Sequence, residues 1–360
     1  MLKSIFIIAM LLHGLIHLLG FVKALNLAPV NQLTLPISKV SGVLWFLCSL
    51  LFISSAILYG FKINWWWMIG LTAAITSQIL IFIYWQDAKF GSIINVLVIF
   101  ASVLAFGEWN VNKSLQSELN KFLPTKTAST LTITEADIPH LPEPVRKWMR
   151  QSGVIGKVKP QTVHLLQAGQ MKLSPKDKWM SFDAEQWVKL AQPGFTWSTK
   201  VGKGSAIQFS GIDKYDDGEG SMVIKLYSLL PIINESGINI DQGAAMRYLA
   251  EMVWYPTAAM NDFIQWDAIS DVKAKATLND KGKSVEGTFI FNEKGKVIGF
   301  ETLRYHDQTK KLETWKIAID ENSYTSFDGF SIPTQVTVTW VLPEGAFTWY
   351  EVEITDVVIN

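Results

Sequence analysis

Cysteine is nearly absent: Cys48 stands alone among 360 residues. That excludes an intrachain disulfide and any zinc or redox centre built on paired cysteines. Net charge is absent as well. Lys plus Arg and Asp plus Glu number 32 each. Such a balance argues against nucleic acid as a partner, because a polyanion calls for a basic excess or stripe. No G-x-S-x-G, H-E-x-x-H or C-x-x-C occurs, so the nucleophile elbow, the zincin helix and the dithiol pair are missing. Histidine is scarce, and nothing near His140, His164 or His306 completes a triad. Gly282-Lys283-Ser284 resembles the end of a phosphate loop. Thr277 stands where that loop needs its first glycine, and the flanks read as strands, so the motif is rejected. No metal and no cofactor is expected from these residues.

Charge is also missing from a long front segment. Between Val43 and Val103 only Lys62, Asp87 and Lys89 are charged, and all three fall in gaps between apolar runs. A helix needs about 20 apolar residues to cross roughly 30 Å of hydrocarbon. Four runs meet that need: Ser4 to Val22, Gly42 to Gly60, Trp65 to Trp85 and Gly91 to Trp109. The first is long for a signal-peptide core and no A-x-A-like site follows, so it is read as a retained helix. Trp65-Trp66-Trp67 and Tyr84-Trp85 bracket the third run, as interfacial aromatics do. Small residues Thr72, Ala73, Thr76 and Ser77 offer a close-packing face. Four crossings leave both ends of this segment on one side. Lys3, Lys62 and Lys113 lie on one side and Lys23, Lys39 and Lys89 on the other, so positive charge does not choose between them.

Residues 111–134 read as a polar linker with Pro124 and a Thr/Ser-rich stretch. Prolines 139, 142 and 144 interrupt a short helix near 140–151. From Thr162 the apolar period becomes two. Met180, Phe182 and Ala184 alternate with polar neighbours, and so do Val336, Val338 and Trp340. Turn signals such as Asp217-Gly218, Lys281-Gly282 and Asp328-Gly329 separate ten or eleven expected antiparallel strands. One strong helix, near 241–255, interrupts them, with Asp241 as its expected N-cap and Pro256 after its end. The fold class is therefore a multidomain membrane protein. A four-helix transmembrane domain (1–110) and a linker (111–134) precede an α+β domain (135–360), whose large curved antiparallel sheet is closed by one or two helices. Such a sheet leaves a cavity in its mouth.

Several residues invite chemistry. His13 and His17 sit one helical turn apart inside the first run. A metal or haem site is one reading of the pair; interhelical hydrogen bonds or an interfacial position is the favoured one. Asp216-Asp217-Gly218-Glu219-Gly220 lacks the alternating ligands of a calcium loop and reads as a hairpin. Arg247 and Glu251 share a helix face, flanked by Tyr248, Trp254, Tyr255 and, further on, Trp266. Aromatics around a few convergent polar groups make a ligand pocket; the same spacing also makes a plain core. These six residues are the candidate ligand-binding set, with Arg247 the expected partner of an acidic head group.

Several segments resemble an uncharacterised family of bacterial membrane-associated proteins. They are Leu141-Pro142-Glu143-Pro144-Val145, Gly153-Val154-Ile155-Gly156, Asp213 to Gly220, Arg247 to Ala258, and Gly329 with Ile332-Pro333 and Trp340. The resemblance spans about residues 135–360 and brings no catalytic residues with it. More loosely, the strand pattern is similar to periplasmic lipoprotein carriers, whose half-open barrel holds acyl chains. The resulting expectation is a multi-pass cell-membrane protein whose β domain binds an apolar or lipid-like ligand beside the bilayer. The side of that domain stays open on the sequence; the carrier likeness alone leans toward the extracytoplasmic face. Two alternatives stay open: a membrane-tethered enzyme using Glu251 with Arg247 or His306, and a scaffold or sensor that binds another protein. On the membrane reading, the full-length protein sediments with membranes in a detergent-free lysate and resists alkaline extraction. Recovery in the supernatant would sink it.

Overall fold

The computed structural model describes residues 1–124 and 130–360. It divides into two compact units: Met1–Ser114 with Tyr227–Leu229, and Leu115–Leu226 with Leu230–Asn360. The first contains α1 (Leu2–Ala24), α2 (Lys39–Gly60), α3 (Trp66–Ile83), the single turn α4 (Trp85–Ala88) and most of α5 (Gly91–Phe122). Four of these helices are long and apolar enough to cross a membrane.

This bundle is inverted relative to a water-soluble one. His13, His17, Ser49, Ser55, Ser77, Asn95 and Ser102 are buried, whereas Ile8, Leu12, Ile16, Leu47, Ile79, Phe82, Val96 and Phe100 are exposed. Only an apolar solvent makes that arrangement favourable, because hydrocarbon neither penalises exposed leucine nor hydrates buried asparagine. The polar groups close on one another. His17 Nδ1 donates to the His13 carbonyl, and its Nε2 accepts from the Ser77 hydroxyl, each at 2.8 Å. Asn95 donates to Ser77 at 2.9 Å and to Gln78 at 3.1 Å. His13 Nε2 donates to the Asn95 side-chain oxygen at 3.1 Å. The two histidines thus serve as interhelical hydrogen-bond groups joining α1, α3 and α5. Close approach rests on small residues: a Cβ on Gly20 would lie 2.5 Å from the Trp45 ring. Of the small residues expected at contacts, Ala73 and Ser77 are buried; Thr72 and Thr76 bond to carbonyls of their own helix instead.

The stretch read as linker begins as helix. α5 continues to Phe122 because Leu115, Leu119 and Phe122 recur on one face and pack with Trp187 and Ile212 of the sheet unit. Lys214 ties this end to Glu118 at 2.5 Å. Residues 125–129 of that linker lie outside the described residues. The proline-rich segment beyond it gives a helical turn at Glu135–Asp137 and then α6 (Glu143–Gln151).

The first six strands are β1 (Thr162–Met171), β2 (Met180–Lys189), β3 (Gly194–Val201), β4 (Phe209–Asp216), β5 (Glu219–Leu226) and β6 (Leu230–Ser236). α7 (Ile238–Glu251) follows, with short helical turns at Met252–Trp254 and Pro256–Met260. Then come β7 (Ile264–Ser270), β8 (Lys273–Asp280), β9 (Lys283–Phe291), β10 (Val297–His306) and β11 (Lys311–Ile319). A small hairpin, β12 (Tyr324–Phe327) and β13 (Phe330–Pro333), precedes β14 (Gln335–Leu342) and β15 (Gly345–Ile359). Thirteen of these strands form one antiparallel sheet in the order β6-β5-β4-β3-β2-β1-β15-β14-β11-β10-β9-β8-β7. It is a curved half-barrel that does not close. The expected ten or eleven strands were too few. β5 is half-buried along most of its length and β6 mostly exposed, so neither shows the period-two signature. The Asp217-Gly218, Lys281-Gly282 and Asp328-Gly329 turns each place both residues at positive φ, the geometry of two-residue hairpins.

Two meanders meet at the β1–β15 pair, so β6 and β7 are the sheet's free edges. α7 links them in sequence and packs on the inner face against β3–β6 on one side and β8–β10 on the other. α6 covers a further part of that face, with Trp148 stacked 5.8 Å from Phe289. In the bundle, Asn95→Leu removes one acceptor and two donors. We expect it to lower bundle stability by about 1 kcal/mol, measured by unfolding in mixed micelles; an unchanged midpoint would show that the network contributes nothing.

Candidate functional site

α7 is positioned by its own first turns. It begins at Ile238 behind Gly237, three residues earlier than expected, so Asp241 is not its N-cap. The Asp241 carboxylate is drawn elsewhere, accepting from Gly220 N–H at 2.7 Å and from Lys283 at 2.6 Å. These bonds pin the helix to β5 and β9 together. Gly220 is required there, since a Cβ would lie 2.7 Å from the Ile240 carbonyl.

The inner face below α7 holds two arginines in opposite circumstances. Arg247 donates to Glu251 and Asp213, each at 2.7 Å, while its guanidinium lies over Phe195 and Trp197, 4.9 and 4.6 Å from their centroids. Glu251 accepts at its second oxygen from Gln186 at 2.6 Å. Gln186 in turn accepts from Gln167 at 3.0 Å, and Gln167 accepts from Trp197 Nε1 at 2.8 Å. Burial alone would pull the Arg247 guanidinium down. The carboxylates of Glu251 and Asp213 outweigh it and hold Arg247 above the ordinary arginine value. This chain of buried bonds has its acceptors and donors matched, which makes it a rigidifying network.

The six candidate binding residues fall largely in this packed interior. Tyr248, Trp254 and Tyr255 are buried in the core. Tyr248 donates to the Lys189 carbonyl at 3.0 Å and Tyr255 to the Tyr248 carbonyl at 2.8 Å. Trp266 donates to the Ala259 carbonyl at 2.9 Å and lies 5.2 Å from Phe289. Arg247 and Glu251 are brought together; Trp266 packs apart from them, beside α6.

Arg304, not singled out from the sequence, lies on β10 on the same inner face. It sits over Trp315 at 4.9 Å and Trp340 at 6.0 Å, yet no hydrogen-bond or ion-pair partner meets it among the described residues. Burial depresses its pKa to about 10; Asp213 opposes that shift and the positive Arg247 reinforces it. It remains a cation at neutral pH. Gly243 of α7 faces it: a Cβ there would stand 3.1 Å from the guanidinium. The sequence carried a signal, since Phe300, Thr302, Arg304 and His306 alternate along β10 and put a charge on the apolar side. Gln167 and Gln186 could have been found the same way.

A cleft opens at this point because two strands part. The β9–β10 ladder runs only from Phe291↔Val297 to Thr288↔Glu301. Beyond it β9 stays paired with β8 down to Lys283, and β10 stays paired with β11 out to His306. The wedge between them, roofed by the start of α7, encloses about 370 Å³ and is lined among others by Gly243, Met246, Val285, Gly287, Arg304 and Leu312. That volume lies in the range of small-molecule sites. The carboxylates on its lining have cations of their own: Glu286 meets Lys275 at 3.4 Å and Glu301 meets Lys316 at 3.0 Å.

Residues 131–352 match the model of a family of unknown function, DUF6544. The resemblance expected over about 135–360 is met in that stretch. No curated protein matches the chain. Among solved structures, an outer membrane lipoprotein-sorting protein domain from Vibrio parahaemolyticus is similar at 10% identity and a TM-score of 0.34, covering 56% of this chain and 86% of that one. A DUF1329 family protein from Desulfovibrio piger is similar at 10% identity and a TM-score of 0.35, covering 60% and 92%. A β-barrel-like protein of the DUF1849 domain from Brucella abortus gives 11% identity and a TM-score of 0.19, covering 57% and 100%. None of these likenesses bears on function.

The Asp241 clamp makes a pH prediction. Burial opposes ionisation, but the bonds from Lys283 and Gly220 prevail and hold the Asp241 pKa below the ordinary carboxylate value. A depressed carboxylate stabilises the fold above its unfolded value, about pH 4, and that stabilisation fades as pH falls through the folded value. Asp241→Asn should therefore melt lower than the parent at pH 7, by roughly 1–3 kcal/mol. The gap should narrow below about pH 4. A gap that does not change with pH would remove the ion pair from the account.

Proposed function

We propose that this chain, which belongs to the DUF6544 family of unknown function, is a membrane-anchored binding module for a lipid-like ligand held near the bilayer. The observation that carries this reading is the cleft of about 370 Å³ where β9 and β10 part beneath α7. Its lining mixes Met246, Val285, Leu303 and Leu312 with Asn239, Gln242, Ser284 and Thr302. A mixed lining suits an amphiphile better than a purely apolar or purely polar solute. The membrane-associated bundle supplies the anchor, with four helices proposed to cross the cell membrane and both of its ends on one side. The six residues of the inner network serve in this reading to hold α7 rigidly over the cleft, and the cleft itself takes the ligand.

Catalysis through Glu251 is less well supported. Both of its oxygens are occupied, by Arg247 and Gln186, and it does not line the cleft. A strand-adding scaffold is disfavoured at the β6 edge, where Pro231 lacks the N–H a new ladder needs. A photoactivatable fatty acid incubated with the full-length protein in nanodiscs tests the proposal. Cross-links should fall on peptides containing residues 283–288 and 301–306, in addition to the bundle helices. Cross-links confined to the bundle would overturn it.

A further inference from the structure

Arg304 is the feature that neither the family nor the inner network accounts for. A guanidinium offers five donors in a fixed fork, and that of Arg304 stands half-buried on the cleft lining with no hydrogen-bond partner among the described residues. The Arg247 site, on the same sheet face, shows how this protein satisfies an arginine that serves structure: two carboxylates at 2.7 Å. Arg304 has only ring faces beneath it. One of those rings, Trp315, leaves its own Nε1–H without an acceptor among the described residues. The carboxylates on the cleft lining, Glu286 and Glu301, are turned to Lys275 and Lys316. Above the guanidinium, Gly243 leaves open the space that any side chain would fill.

We propose that Arg304 is an oxyanion-recognising residue: the cleft takes a ligand bearing a phosphate or carboxylate, seated on the guanidinium fork, with an apolar portion along Met246, Val285 and Leu312. This rests on the binding reading above and deepens it by naming the head-group chemistry. The planar fork matches the two oxygens of a carboxylate or phosphate, and Trp315 and Trp340 hold the plane in place by stacking. The first turns of α7, with Asn239 and Gln242 on the lining, add the positive end of a helix dipole to the same corner. Where β9 and β10 separate, the Thr302 hydroxyl donates to the Glu286 carbonyl at 2.6 Å, which leaves the Asn239 and Gln242 amides on the lining to bind the rest of the head group.

The test uses the full-length protein in phosphatidylcholine nanodiscs and three probes: decyl phosphate, inorganic phosphate and decanol. Binding is read from tryptophan fluorescence and from the melting temperature. Decyl phosphate should bind saturably to the parent and raise its melting temperature. Arg304→Met should weaken that binding by roughly 10- to 100-fold, the worth of a charge-assisted hydrogen-bond pair. In the absence of anion, Arg304→Met should melt no lower than the parent, because it removes a cation that has no direct ion-pair partner among the described residues. Gly243→Ala keeps the charge and favours the helix, but crowds the guanidinium from 3.1 Å. It should weaken decyl phosphate several-fold, and it serves as the test should Arg304→Met not fold. Inorganic phosphate binding as well as decyl phosphate, and lost in Arg304→Met, supports the oxyanion site while identifying a free anion as its source. Decyl phosphate and decanol binding alike, unchanged in both variants, would overturn the role of Arg304 and leave the lipid-binding reading standing. No response to any probe would overturn both.

Discussion

A thirteen-stranded sheet that curls without closing has one large inner face and two free edges, and that face has to be kept from water. Here a single helix does most of the covering. α7 is inserted in the chain between the two edge strands, so connectivity alone brings it across the opening. Its register is set by Asp241, which reaches Gly220 on β5 and Lys283 on β9 at once. Once the helix is fixed there, its buried flank lowers Tyr248 and Leu249 into the core and Arg247 and Glu251 into the polar chain with Gln186. Its first turns roof the wedge where β9 and β10 part, and the space between helix and strands stays unfilled there. The cleft is thus a consequence of two strands separating beneath the helix that spans them.

Two arginines on that face show how the same side chain takes different parts. Removing one partner of a buried, hydrogen-bonded ion pair costs about 3–5 kcal/mol, because the other charge is left stranded. Arg247, held by Asp213 and Glu251, is in that position, and the network around it belongs to the stability of the domain. Arg304, half-buried on the cleft lining, has no carboxylate within ion-pair reach among the described residues. Burial depresses its pKa, and the more distant charges of Asp213 and Glu251 offset that only in part. Stacking on Trp315 and Trp340 returns part of that loss, on the order of 1–2 kcal/mol.

Much of the architecture was legible in the sequence because it rests on local signals. The four membrane-length helices follow from composition and length. The Asp-Gly and Lys-Gly hairpins follow from the positive φ that two-residue turns require. What was not legible depends on pairing at a distance. β5 and β6 lack alternation, since one is half-buried along most of its length and the other mostly exposed. The last turns of α5 looked like linker because their polar face outweighs the stripe of Leu115, Leu119 and Phe122. At the site, helical spacing drew attention to Arg247 and Glu251 and did find a real pair. It could not show that the pair was already saturated by Asp213 and Gln186, which are distant in sequence. Arg304 carries no motif. It stands out only as a charge on the inward phase of a strand, a signal that the alternation of Phe300, Thr302 and His306 makes readable after the fact.

The membrane-associated bundle bears on what affinity such a cleft would need. A ligand that partitions into a bilayer is concentrated there, and a domain tied to the same bilayer by its own chain samples that local pool and not the bulk solution. Modest binding would then suffice for the proposed ligand, and a wedge of about 370 Å³ with a mixed lining that includes Arg304 and Lys275 is suited to it. A deeper, wholly apolar cavity would release an amphiphile slowly, since residence time follows affinity far more than association does. In the proposed reading the apolar contribution would be limited by the size of the wedge, and the charged contribution would come from the Arg304 guanidinium, since Lys275 is met by Glu286. Selectivity would then come from the head group, through Arg304, and retention from the tail. Separating those two contributions lets a protein at a membrane surface choose its ligand without being blocked by it.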